Sequence, residues 1–249
     1  MPCMPRLLRA TAWPADPGRA DDAMVEDSSI GAWSLPAFAP RDLLQVGGGV
    51  AQAGSALVWI APGASLGAAG FLPLPGGSRY LRIATRAGRA ALEAAEPDEL
   101  ALLDLLRRGG RLDVDELLCD AGIVRLYRGV CRLRGIPAQR LRMEQVVGKA
   151  LEARCPECAR ALTIFCALLG DFAARLALAL DARGGVYLGG AAVAELADWF
   201  RRSPFRRRFD SQGRDRELLR AIPTFVVSRG VVPRMADPLR ALSRMDASN

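Results

Sequence analysis

An α/β layered domain is what the sequence predicts, and three observations carry that expectation. Short apolar runs bounded by Gly and Pro open the patterned part of the chain, a long helical middle follows, and strand-like runs return near the end. Of 249 residues, 51% are apolar and 24% charged, a balance that supports a buried core and excludes a disordered polymer.

Residues 1–24, rich in Pro, Asp, Arg and Ala without a period, read as a poorly ordered lead-in. Ala56–Ile60 and Ala68–Leu72 read as strands joined by the small-residue turn Ala61–Gly67, with Tyr80–Ile83 as a third strand. Pro97 begins a helix with Leu100, Leu103 and Leu106 at helical spacing, and Gly109-Gly110 ends it. Ile123, Leu126, Tyr127, Val130 and Cys131 mark the face of a second helix; Met143, Val146, Val147 and Ala150 mark a third. Arg160–Asp181 is the longest, striped by Leu162, Phe165, Cys166, Leu169, Phe172 and Leu176. Gly184-Gly185 then introduces a strand at Val186–Leu188, Gly189-Gly190 leads into a helix near Val193–Arg201, and Ile222–Val227 is a final strand.

Composition removes several chemistries. Histidine is absent, so no His base, His metal ligand, Ser-His-Asp triad or Cys-His pair exists in this chain. The 34 cations against 27 acids give a formal charge of +7, and Lys149 is the sole lysine among them. These cations alternate with acids, as in Arg214-Asp215-Arg216-Glu217, which fits a solvated basic surface with no specific nucleic-acid partner.

Cys3, Cys119, Cys131, Cys155, Cys158 and Cys166 follow no secretory signal and fall at apolar positions, as reduced thiols of a cytoplasmic protein do. No membrane span is expected. Leu43–Ser78 is uncharged but broken by Pro and Gly, and Ala161–Leu180 contains Asp171 and Arg175. Cys155-Pro-Glu-Cys158 has the spacing of half a zinc knuckle, of a redox pair, or of a plain helix start. The missing further ligands favour the last, so no metal site is assigned. Arg206-Arg207-Arg208 reads as an anion patch or as the basic exposed face of a short helix, beside core residues Trp199 and Phe200.

Three segments say more. They are Gly122-Ile-Val-Arg-Leu-Tyr127; Ala161-Leu-Thr-Ile-Phe-Cys-Ala-Leu-Leu-Gly170 with the run Leu176 to Gly190; and Ser203-Pro-Phe-Arg-Arg-Arg-Phe209 with Gly213-Arg214 and Ile222-Pro223. In this order and spacing they resemble the bacterial glucokinases, of the actin-like and hexokinase group of sugar kinases. The resemblance runs from about Met24 to Ala241. It implies an actin-like (ribonuclease H-like) large domain at 43–228, a remnant of the small domain and hinge at 25–42, and a C-terminal segment at 229–249.

The implied activity is ATP-dependent phosphorylation of glucose to glucose 6-phosphate in the cytoplasm, with Mg2+ and an aspartate taking the proton of the 6-hydroxyl. By resemblance Asp27 matches that base, and Glu26 stands where the family has a sugar-binding amide. Arg86-Ala87-Gly88-Arg89 occupies the place of a sugar-binding Glu-Gly-Gly-His, and Asp115 that of a sugar-contacting glutamate. Gly63-Ala64-Ser65-Leu66-Gly67 matches a Gly-Thr-Gly-Leu-Gly phosphate loop and reads equally as a tight turn between strands. Gly184, Gly185 and Gly190 match the adenosine side.

The family's Asp-x-Gly-Gly-Thr-Asn phosphate segment does not occur in this sequence. With the arginines at 86 and 89, that leads to weak or lost activity as the expectation. The alternative is a catalytically silent relative acting as a binding, scaffold or regulatory protein. The partners implied are glucose or an anionic sugar derivative, and a second copy in a homodimer.

Overall fold

The computed structural model describes residues 40–74, 80–107 and 110–228. The lead-in, Glu26, Asp27 and the segment 229–249 lie outside the described residues.

The continuous apolar run at 57–62 becomes β2 (Leu57–Pro62), a strand buried along its whole length because it has neighbours on both edges and packing on both faces. β3 (Leu66–Pro73) pairs with it antiparallel, and β4 (Tyr80–Ala84) pairs antiparallel with β3. On the other edge β5 (Val186–Leu188) lies parallel to β2, and β6 (Thr224–Val227) parallel to β5. A short strand β1 (Leu43–Gln45) closes the edge antiparallel to β6. The order β1-β6-β5-β2-β3-β4 is an antiparallel meander joined to parallel strands reached by helical crossovers. The turn after β2 is shorter than the sequence suggests, because Leu66 and Gly67 already pair with Pro62 and Ala61.

Alternation along β2 sorts its side chains onto two faces. Val58 and Ile60 join the main core under the helices, whereas Leu57, Trp59 and Ala61 join Ala69, Phe71, Tyr187 and Val227 in a smaller cluster.

Four long helices build the main core: α1 (Pro97–Arg107), α2 (Asp120–Leu133), α3 (Met143–Leu151) and α4 (Pro156–Ala179). α4 is long and apolar enough to cross a bilayer, yet 78% of its most apolar stretch is buried inside the molecule. It begins at Pro156, earlier than the apolar stripe suggests, because Pro occupies its first turn and the Cys155 thiol accepts the N–H of Cys158 at 3.3 Å. The Cys155/Cys158 pair is thus a helix start. Burial pushes the thiols of Cys158 and Cys166 up to about 12.

After β5 the expected single helix is two, α5 (Ala191–Glu195) and α6 (Ala197–Arg202), broken at Leu196, whose ψ of 7° is not helical. Phe200 of α6 is fully buried, and Trp199 is half-buried with Arg202 stacked 5.1 Å from its ring centre. α7 (Phe205–Phe209) and α8 (Arg216–Ala221) complete the layer. α7 crosses α4 at Gly170, where a Cβ would lie 2.4 Å from the Phe205 carbonyl oxygen, so only glycine permits the approach.

Both sequence readings of Arg206-Arg207-Arg208 are corrected. Only Arg207 is exposed. Arg208 shares the inward face of α7 with Phe205 and Phe209, at helical spacing, and is buried between two carboxylates. Its Nη1 donates to both Glu99 oxygens of α1 at 2.7 and 2.9 Å, and its Nε to Asp171 Oδ1 of α4 at 3.1 Å, with Nη2 on Asp171 Oδ2. Arg206 donates to the carbonyl oxygens of Ile222 and Leu219 at 2.9 and 3.1 Å. Burial raises the Asp171 carboxyl against the pull of Arg208.

Candidate sugar and nucleotide site

A cleft of about 400 Å³ opens beside Trp59 and Ala69, bounded by the end of β4 and two short 3-10 turns, Ala87–Arg89 and Val114–Glu116. The second turn is fixed at its ends. Asp113 N–H donates to Glu116 Oε1 at 3.1 Å, and Glu116 meets Arg125 Nη1 at 2.6 Å, which holds the Glu116 carboxyl below its usual range. That fixing aims Asp115 at the β2–β3 hairpin, where its Oδ1 accepts the N–H of Leu66 at 2.6 Å. Gly88 packs on Asp115: a Cβ there would lie 3.4 Å from that of Asp115. The structure thus brings Arg86, Arg89, Asp115 and Gly67 into one cleft.

Sequence reading missed Arg82 and Thr85 in this cleft. The Thr85 hydroxyl donates to the Ala68 carbonyl at 3.0 Å. Arg82 lies across from Phe71 on the smaller-cluster face, and its Nε is buried with no hydrogen-bond partner among the described residues. Strand alternation from Leu81 was the available signal, but it points the wrong way, since Leu81 is the outward residue at 52% exposure.

Gly63–Ser65 is the tight turn of the hairpin: Gly63 N–H donates to Ser65 O at 3.1 Å, and Gly63 O accepts the N–H of Asp120, the first residue of α2, at 2.8 Å. Gly190 holds the end of β5 against this hairpin. Its φ is +97° and a Cβ would lie 2.2 Å from the Pro62 carbonyl oxygen, so a side chain fits neither the torsion nor the space. Both features sit at the carboxyl ends of parallel strands β2 and β5, where open α/β sheets lodge ligands.

Gly184 and Gly185 do not join them. They lie at the opposite end of β5, where Gly184 N–H donates to Ala56 O at 2.9 Å and a Cβ on Gly184 would lie 2.8 Å from that oxygen, while Gly185, at a φ of +116°, sits beside Pro223 just ahead of β6. Asp120 was also missed as a neighbour of the hairpin. Its Oδ1 is buried without a hydrogen-bond partner among the described residues, and burial, with the charge of Glu144, raises its carboxyl.

The sheet order, the hairpin closing on the start of α2 and the polar cleft fit the mixed α/β fold of the actin-like sugar kinases. A sequence model of the family described as Glucokinase matches residues 17–232. The chain is 37% identical over 211 residues to a glucokinase of Aromatoleum aromaticum, covering 84% of this chain and 63% of that protein. The fold matches a glucokinase from an Antarctic psychrotroph with a TM-score of 0.76 at 25% identity, over 84% of this chain and 65% of the other. It also matches a ROK family glucokinase from Streptomyces griseus, solved in complex with glucose and AMPPNP, with a TM-score of 0.57 at 16% identity, over 86% and 66% of the two chains. The chain belongs to the glucokinase family, and it spans just under two thirds of the length of the curated relative above.

Proposed function

We propose that this chain carries the sugar and nucleotide sites of a cytoplasmic glucokinase-type kinase on a large domain at 43–228, and that its phosphorylation of glucose is weak or lost. One observation carries the reading: Arg86 and Arg89 stand in the cleft beside Asp115, where the family has Glu and His. Glucose presents hydroxyls that need acceptors as well as donors, and a guanidinium has no acceptor. Asp115 is then the one acidic acceptor lining the cleft among the described residues, and one of its oxygens is already engaged by Leu66. Asp27 and Glu26 keep, by resemblance, the positions of the base and its neighbour.

On the nucleotide side, the Ala64 and Ser65 amides with the Ser65 hydroxyl are the groups left to cradle a phosphate at the hairpin, with Gly190 beside them. Leu66 N–H is committed to Asp115, and the Gly63 carbonyl of the turn is taken by the Asp120 N–H. The fit to ATP is partial, which agrees with reduced turnover. When bound, MgATP supplies the phosphoryl group; the chain's part is to orient it and to hold the sugar. The S. griseus relative was solved with glucose and AMPPNP, which supports these two ligand classes for a chain of this fold.

A coupled assay for glucose 6-phosphate at millimolar glucose and MgATP tests the reading. The expected rate is far below the ordinary kinase range of about 1–100 per second. Turnover within about tenfold of that range overturns it. No turnover at all favours the silent, ligand-binding relative, a reading supported by the same pair of arginines.

A further inference from the structure

We propose that the cleft beside Asp115 takes an anionic carbohydrate, a sugar phosphate or a sugar acid, in preference to glucose. The inference rests on reading this cleft as the sugar subsite. Among the described residues three arginines line it, Arg82, Arg86 and Arg89, against the carboxylate of Asp115. None of the three forms an ion pair among the described residues, whereas Arg107, Arg111, Arg125, Arg134 and Arg208 all do.

Arg82 adds an independent observation. It lines the cleft, its Nε–H is buried without an acceptor among the described residues, and a buried donor left unpaired is costly. The frame holding these groups is rigid. Arg82 is fixed in the β3–β4 ladder, and Arg86 caps and Arg89 ends a 3-10 turn packed on Asp115 through Gly88, so they stand three residues apart, a spacing of one turn. Planar guanidinium forks match carboxylate and phosphate oxygens two at a time. A bound anion also relieves the mutual repulsion of the three cations. Oδ2 of Asp115, opposite the oxygen that Leu66 occupies, remains to accept a sugar hydroxyl. Hydroxyls and an anion on one small molecule use every group in the cleft; glucose uses only Asp115 well.

Calorimetric titration of the full chain with glucose, glucose 6-phosphate, gluconate and inorganic phosphate tests this. The sugar anions are expected to bind at millimolar concentration or tighter, inorganic phosphate more weakly, and glucose without measurable heat. Glucose 6-phosphate against gluconate then separates phosphate from carboxylate as the preferred anion. The Arg86→Gln/Arg89→Gln variant, checked for an unchanged unfolding midpoint, is expected to weaken the sugar anions roughly tenfold or more, and high salt to weaken them in the parent chain. Glucose binding as well as the anions, inorganic phosphate matching the sugar anions, or no response to any anion each overturns the inference. The two readings fail differently. Glucose heat abolished by Asp115→Ala removes the inference and leaves the subsite in place. Anion binding indifferent to both Asp115→Ala and the double arginine variant removes the subsite as well.

Discussion

Arg208 and the pair Arg86/Arg89 are the same residue type in opposite circumstances. Arg208 is 4% exposed and spans two carboxylates from two helices, Glu99 and Asp171. Arg86 and Arg89 are exposed at a cleft where, among the described residues, one carboxylate stands, already hydrogen-bonded to the backbone. The first arrangement ties α1, α4 and α7 together and belongs to the fold. The second gives the fold nothing visible and leaves positive charge where a ligand enters. A charge that is completely paired inside the protein reports on architecture; a charge left without a partner in a concave site reports on what the site binds.

The largest expected effect tests the first half of that contrast. Arg208→Met leaves Glu99 and Asp171 buried and uncompensated, and removing one partner of a buried ion cluster costs about 3–5 kcal/mol. Urea unfolding monitored by far-UV circular dichroism measures it. Arg86→Gln and Arg89→Gln in the same assay are expected to change stability by about 0.5 kcal/mol or less, as ordinary surface substitutions do. Equal losses from the two sets would break the comparison.

Next is Gly170→Ala, which forces the added methyl against the Phe205 carbonyl at the crossing that carries Arg208. Overpacking of this kind costs about 1–3 kcal/mol, and unfolding midpoints of the single and the Arg208→Met combined variant show whether the two share one contact.

Asp115→Ala strips Leu66 N–H of its acceptor, an expected loss of about 1 kcal/mol. It also leaves the cleft purely cationic, so inorganic phosphate should bind the variant more tightly than the parent, which calorimetry reads directly.

The smallest effect is a pH slope. The Asp171 carboxyl is raised on folding, chiefly by burial, so its contribution is complete below the unfolded value of about 4 and is lost as pH rises through the folded value. The stability of the parent chain minus that of Asp171→Asn is therefore expected to fall between acid and neutral pH. A rise would mean that Arg208 outweighs burial at this site.

Much of the fold was legible because local pattern and global packing agree. The short apolar run at Ala56–Ile60 bounded by turn residues reads as a strand, and the apolar stripe of α4 reads as a helix, which is how both fold. What escaped was set by contacts distant in sequence. Glu99 and Arg208 are 109 positions apart and Asp171 and Arg208 37 apart, so nothing local distinguished Arg208 from its exposed neighbour Arg207. The apolar stripe of α4 shows only from Arg160, whereas its start was legible in Cys155-Pro156, where a cysteine thiol serves as the cap in place of the usual hydroxyl or carboxylate. Arg86, Arg89 and Asp115, singled out through the resemblance to the glucokinases, line one cleft. Arg82 was missed, because β4 reverses the usual alternation and turns its charge toward the cleft while Leu81 faces out. The paired glycines before and after β5 look alike in sequence, and only the direction of the strand separates Gly190, at the ligand end, from Gly184 and Gly185 at the other.

The central question is whether the two arginines at the cleft decide what it holds. Titration of the Arg86→Glu/Arg89→His variant with glucose and with glucose 6-phosphate, beside the parent chain, measures this directly. The expected result is an exchange of preference: the variant gains glucose binding and loses the sugar anion, while its unfolding midpoint stays that of the parent. A variant that still prefers the anion, or a parent that binds glucose as tightly as the variant does, would contradict the account.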